Sequence, residues 1–212
     1  MAHQFSTLTF TDNIKAVQRE MCSRPANEKL TERGPANDTF GEFEKEFIAA
    51  RDGFYIASVG ETGWPYIQFR GGPTGFLQVL DDRTLAYADI IGNRQYITTG
   101  NLRSNHHAAL FLMDYPHQAR LKILANVEVV SWSEAGEWKN QLPIELKSRP
   151  ERAVRIHLAA FNWNCPQHIT PRWTLEELQQ TDLFKRIRSL EDEVNRLRTE
   201  LAQARTGATL NP

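Results

Sequence analysis

Three short stretches of the chain carry side chains able to do chemistry. Arg70-Gly71-Gly72 closes an apolar run with a guanidinium beside backbone that lacks side chains, so a charged fork and bare N–H groups can both approach a phosphate. Gly92-Asn93-Arg94 stands where strand-like sequence passes into a short helical pattern, and helix N-termini favour anions through free N–H groups and the macrodipole. An arginine near glycines is more often a turn with a solvated charge, and that reading stays open for both. Phe161-Asn162-Trp163-Asn164-Cys165-Pro166-Gln167-His168 concentrates aromatic, amide, thiol and imidazole groups, a mixture suited to stacking on a planar heterocycle and hydrogen-bonding its edge. The same residues suit a loop that plugs a barrel end, with Trp163 in the core and Cys165 as a small buried hydrophobe.

Absences narrow the class further. The chain has no G-x-G-x-x-G, G-x-x-x-x-G-K-[ST], H-E-x-x-H or G-x-S-x-G, so dehydrogenase, P-loop, zinc-protease and hydrolase signatures fail. The histidines offer no ligand spacing beyond His106-His107, whose side chains would point to opposite faces of a strand, and no metal is expected. Cys22 and Cys165 lie too far apart in sequence to suggest a disulfide framework, and a reducing, cytoplasmic compartment is the default. Twenty-five Lys and Arg against 26 Asp and Glu, with no basic block, give no nucleic-acid footprint. The opening MAHQFSTLTF lacks the pattern of a secretory leader, and no run approaches about 18 apolar residues, so neither secretion nor a membrane span is expected.

These groups must be positioned by a folded core, and 212 residues with 41% apolar content supply one. Ile14, Val17 and Met21 recur at helical spacing between Thr11 and Cys22. Residues 23–38, with Pro25, Gly34 and Pro35, read as loop. Thr39 followed by Glu42 reads as a capping box, opening a helix with Phe43, Phe47 and Ile48 on one face and ending near Arg51-Asp52-Gly53. Strand signals follow at 54–59, 64–72, 75–80 and 84–89, read as an antiparallel meander. After a short helix around 94–102 come strands at 108–114, 120–132 and 154–161, with 133–150 unassigned. Leu121, Ile123, Ala125, Val127 and Val129 share one face of the longest. About seven strands with local connections predict a mainly β (α+β) chain, an antiparallel split β-barrel with flanking helices. Residues 1–38 form an N-terminal helix and loop, 39–172 the barrel, and 173–212 a terminal helix.

The terminal segment has the clearest local signal. Thr174 and Glu177 form a capping box with Trp173 and Leu178 placed as a hydrophobic staple. Leu183, Ile187, Leu190, Val194, Leu197, Leu201 and Ala204 form a heptad seam, and Gly207 reads as the stop. With Ile187 at a, the flanking g and e positions pair Arg186 with Glu191, Glu193 with Arg198 and Glu200 with Arg205 across a parallel two-stranded coil. A helix packed along its own domain is the other reading.

Taken together, FIAARDGFYIAS, GWPYIQFRGGPTGF, LAYADIIGNRQYITTGNL, RLKILANVEVV and FNWNCPQHITPR, spanning about residues 40–172, resemble the pyridoxamine 5'-phosphate oxidase-like flavin-nucleotide-binding proteins. The resemblance implies a homodimer with FMN at the subunit interface. It places Gln68, Phe69, Arg70 and Gly71 along the flavin and its ribityl phosphate, and Asn93, Arg94 and Gln95 at the phosphate. The second subunit would bring Trp163, Gln167 and His168 toward the ring, with His168 as a proton donor or a structural hydrogen-bond donor. The C-terminal arginine-rich signature of the true oxidases is not found after ITPR. The resemblance therefore implies an FMN-dependent oxidoreductase acting on another small substrate, or alternatively a flavin-binding or flavin-sensing module without turnover, whose coiled coil mediates association.

Overall fold

A computed structural model describes residues 2–144, 149–163 and 166–208. The chain divides into two compact units, one of residues 1–114 with 118–169, the other of 115–117 with 170–212. The first holds four helices, α1 (Gln4–Thr9), α2 (Asp12–Glu20), α3 (Arg24–Arg33) and α4 (Glu42–Ala49), ahead of the sheet. Helix α3 replaces the loop expected from Pro25 and Gly34. Proline falls in the first helical turn, where its missing N–H has no intrahelical partner to lose, and Gly34 ends the helix rather than breaking it.

The start of α4 is also displaced from expectation. Phe40, 2% exposed, is drawn into the core as its N–H donates to the Asp82 carbonyl (2.8 Å). The helix therefore opens two residues late, at Gly41, whose N–H donates to Glu44 Oε2 (3.0 Å), and Thr39 does not cap it.

At the other end of this segment His3 caps α1. Its Nδ1 accepts from the Ser6 N–H (3.1 Å), and burial holds the imidazole below its ordinary value of 6.5. The unfolded chain therefore takes up a proton below about pH 6.5 that the folded chain resists, so this contribution is complete above that pH and is lost as the pH falls. Denaturation at about pH 7.5 and about pH 5.5 should show the parent weakening at the lower pH, and His3→Gln should narrow the gap.

Seven strands follow: β1 (Gly53–Val59), β2 (Pro65–Gly71), β3 (Gln78–Asp81), β4 (Thr84–Ile90), β5 (His107–Asp114), β6 (Ala119–Ser131) and β7 (Pro150–Trp163), with α5 (Ile97–Ser104) between β4 and β5. All pair antiparallel, in the order β2-β1-β5-β6-β7-β4-β3. The hairpins β1–β2 and β3–β4 stand as expected, but the four strands do not form one meander. Strand β1 takes β5 on its other side, and β2 and β3 end up as the two open edges, so the barrel is split rather than closed.

Alternation explains the core. Leu121, Ile123, Ala125 and Val127 of β6 are buried on one face, with Val129 packed against the same cluster. They meet Ile56, Leu85, Leu110, Leu112 and Ile156, all at most 1% exposed, and burial of such side chains contributes about 1.5–3 kcal/mol each. Strand β7 begins four residues earlier than its apolar pattern suggests, at Pro150. Part of the unassigned stretch before it is a 3₁₀ turn, Glu137–Gln141.

The second unit contains α6 (Leu175–Gln180) and α7 (Asp182–Ala208). The capping box at Thr174 is present: its Oγ1 accepts from the Glu177 N–H (3.2 Å), and its own N–H donates to Glu177 Oε2 (2.7 Å). The expected single helix is broken at Thr181, which ends α6 and whose Oγ1 accepts from the Phe184 N–H (3.3 Å) to open α7. Helix α7 runs past Gly207 to Ala208, so the glycine is not its stop.

Candidate cofactor site

Edge strand β2 presents alternate side chains to two faces. Tyr66, Gln68 and Arg70 turn to the partly buried side, while Ile67 and Phe69 face outward, 64% and 58% exposed. Across from them lies the loop 91–96, which enters α5. Two hydrogen bonds fasten α5 to the sheet: Thr98 Oγ1 donates to Gln68 Oε1 (2.8 Å), and Asn101 Nδ2 donates to Ser58 Oγ (3.1 Å). The loop is thereby held over β2, and a cavity of about 150 Å3 opens between them.

Gln68, Arg70, Asn93, Arg94 and Gln95, all singled out from the sequence, line this one cavity. The backbone there is unusual. Arg94 (φ 62°) and Tyr96 (φ 55°) both adopt the left-handed conformation without being glycine, at a cost of roughly 1–3 kcal/mol each, and such strain concentrates where a loop must present groups to a ligand. Asn93 Oδ1 accepts from the Gln95 N–H (3.1 Å) and supports the turn, and no side chain caps the N-terminal end of α5.

The charges form a network that sequence reading missed. Asp89, 3% exposed at the end of β4, accepts from Arg70 Nη1 (2.8 Å) and from Arg152 Nε (2.9 Å) and Nη2 (2.8 Å). Arg152 also stacks on the Tyr96 ring, 4.7 Å from its centroid, and pairs with Glu151 (2.9 Å). The Tyr96 hydroxyl donates to Glu151 Oε1 (2.9 Å). Tyr96 and Glu151 hold the guanidinium of Arg94 even more firmly protonated than usual, Tyr96 having the larger effect. Beside the network, burial pushes the Tyr87 phenol well up. Three guanidiniums thus face two carboxylates. One buried donor, Arg70 Nε, has no hydrogen-bond partner among the described residues.

Asp89 was legible in principle. Leu85, Tyr87 and Asp89 alternate on one face of β4, and an acid on an inward face requires a cation. Arg152 gave no such signal, since it lies before the stretch recognised as strand.

The other expected residues sit elsewhere. Phe69 lies outside the cavity, its ring over Gly53 and Gly71; a Cβ on Gly71 would come within 2.7 Å of it. Gly71 leaves room for that ring, and with Gly72, Phe69 and Arg70 it lines a neighbouring cavity of about 280 Å3. The Gly72 N–H already donates to the Asp52 carbonyl (2.9 Å), whereas Gly71 sits opposite Gly53 in a non-hydrogen-bonded pair of edge strand β2. Trp163 is half-buried against α4, its Nε1 donating to Glu44 Oε1 (2.8 Å) and its ring packing on Phe43 and Phe47. Gln167 and His168 are exposed, His168 in the left-handed conformation (φ 67°), and neither lines the cavity. Cys165 lies outside the described residues.

An open antiparallel sheet with a cationic pocket between its edge strand and a facing loop defines the class as a split β-barrel. Residues 40–162, more than half of the chain, match the family model for pyridoxamine 5'-phosphate oxidase, and the chain belongs to that family. Solved structures of similar fold include HupZ of Group A Streptococcus (16% identity, TM-score 0.46), covering 63% of this chain and 99% of that one. An FMN-binding protein from Syntrophomonas wolfei (12%, TM-score 0.43) covers 72% and 97%. No curated protein matches the chain.

Proposed function

We propose that this protein binds FMN in the cavity between β2 and the 91–96 loop, and that it is an oxidoreductase acting on a small molecule other than pyridoxamine 5'-phosphate. The observation that carries the reading is the three guanidiniums of Arg70, Arg94 and Arg152 lining one pocket, with Arg70 Nε orphaned. A phosphate with close to two negative charges fits that donor set, because it supplies acceptors for a buried donor that lacks one. Arg94 is the exposed cation at the rim, beside Tyr96, that would meet the phosphate, Arg70 and Arg152 are fixed by Asp89, and Gln68, Asn93 and Gln95 add amide donors and acceptors around it. Bound flavin would supply hydride or electron transfer, leaving the protein to position it and exclude water.

This reading includes a second copy of the chain. Outward-facing Tyr55, Val59, Trp64, Ile67 and Phe69 leave a large exposed apolar area on the β1–β2 hairpin, and such areas mark contact surfaces. Gln167 and His168 are the residues given to the second copy's flavin, with His168 as proton donor because an imidazole can carry a transferable proton.

Titration of the purified full chain with FMN, followed by quenching of flavin fluorescence, tests the proposal. Saturation at one FMN per chain in the low micromolar range, and reduction of the bound flavin by a reduced nicotinamide, are expected. Absence of binding at about 100 μM overturns it. Binding without reduction by any nicotinamide would leave a flavin-binding module in place of an enzyme.

A further inference from the structure

Helix α7 spans 27 residues, about 40 Å. Its seam residues Leu183, Ile187, Leu190, Val194, Leu197 and Leu201 are each between 42% and 69% exposed, an apolar stripe along a helix that is otherwise polar. Such a stripe is stable in water when another helix covers it, and the strict seven-residue repeat fits a left-handed coiled coil. We propose that its occupant is the α7 of a second copy of this chain, parallel and in register. The proposal does not depend on the flavin.

Charge decides between partners and orientations. In the parallel arrangement Arg186 faces Glu191 of the second copy and Glu193 faces Arg198, and two-fold symmetry repeats each pair. In the antiparallel arrangement that overlaps the seam fully, g positions meet g and e positions meet e. With Leu190 set beside Leu201, Glu193 then faces Glu200, a like-charge pair repeated by symmetry, and only Glu191 with Arg198 still attracts, so the parallel arrangement keeps more opposite-charge pairs. The seam agrees with the charges: β-branched Ile187 and Val194 at a with Leu183, Leu190 and Leu197 at d favour two strands over three or four. A helix built to bind an unrelated acidic or basic partner would carry one sign on both flanks. This one alternates sign in the pattern that suits itself.

The test uses the full chain with Cys22→Ser and Cys165→Ser, carrying either Leu190→Cys or Leu201→Cys, under mild oxidation. In the parallel coil each variant cross-links to its own kind, and an equal mixture of the two, distinguished by a size tag, gives no disulfide between unlike chains. In the antiparallel coil Leu190 lies beside Leu201 and about 16 Å from the other Leu190, so the mixed disulfide would dominate and overturn the orientation. Failure of every combination to cross-link, whether because the helix packs on its own chain or binds another protein, overturns self-pairing. Adding Glu193→Arg to Leu190→Cys should lower its cross-linking several-fold. Mixing that chain with one carrying Arg198→Glu and Leu190→Cys should restore it between unlike chains. A cross-link indifferent to this charge reversal would report mere proximity of two chains and also overturns the pairing.

Discussion

Asp89→Ala should lose about 3–5 kcal/mol of stability, the cost of stripping the partner from a buried ion pair, and melt roughly 6–20 °C below the parent. The carboxylate is 3% exposed, and it bridges two guanidiniums whose side chains are themselves only 19% (Arg70) and 16% (Arg152) exposed, with Glu151 as a second partner for Arg152 alone. Without it, two cations remain in a poorly solvated pocket beside Arg94. Asp89→Asn keeps acceptor and shape but not the charge, and should fall between the two. Because the truncation converts the network into a bare cationic site, inorganic phosphate should raise the melting point of Asp89→Ala more than that of the parent. Chemical denaturation within about 0.5 kcal/mol of the parent would show that Asp89 does not hold the pocket together.

The same network shows where the sequence was readable and where it was not. Strand positions followed from alternation and turn residues because both are local, and the inward Leu121-to-Val129 series needed only neighbouring residues to be recognised. Sheet order did not follow. That β2 and β3 are the outer edges depends on β1 finding β5 some fifty residues on, and no turn signal encodes such pairing. Arg70 and Arg94 were both read as cations at an anion site. Only the structure separates them, since Arg70 is committed to Asp89 while Arg94 is exposed at the rim. The glycines of RGGPTGF look like room for a ligand, and the structure adds a second cause with the same signature, since Gly71, which lines a cavity with Arg70, also makes room for the Phe69 ring. Helix α3 was hidden because a proline that starts a helix and one that prevents it differ only in position. In the terminal segment, the capping box was visible in four residues, whereas the Thr181 break was not, because the apolar pattern runs on across it.

That difference between the two arginines makes Arg94→Ala the clean test of the cofactor site. Arg70→Ala would also strip one of the two cations from buried Asp89, so any loss of flavin would be mixed with a loss of stability. Arg94 is exposed, and alanine accepts its left-handed backbone at no greater cost than arginine does, so the variant should melt with the parent. Its affinity for FMN should fall about ten- to a hundred-fold, the range for losing a charge-assisted contact to a phosphate. The decisive readout is riboflavin, which has the same ring and ribityl chain but no phosphate. The parent should prefer FMN over riboflavin, and Arg94→Ala should lose most of that preference while binding riboflavin as before. Parent binding should also weaken as salt is raised, more steeply than the variant's, because a cation–phosphate contact is screened and a ring contact is not. Arg94→Lys should recover only part of the difference, since an ammonium restores the charge but not the two-pronged geometry. If FMN and riboflavin weaken equally, Arg94 shapes the loop rather than gripping the phosphate. If neither weakens, the phosphate lies away from the 91–96 loop and the assignment of the cavity is wrong.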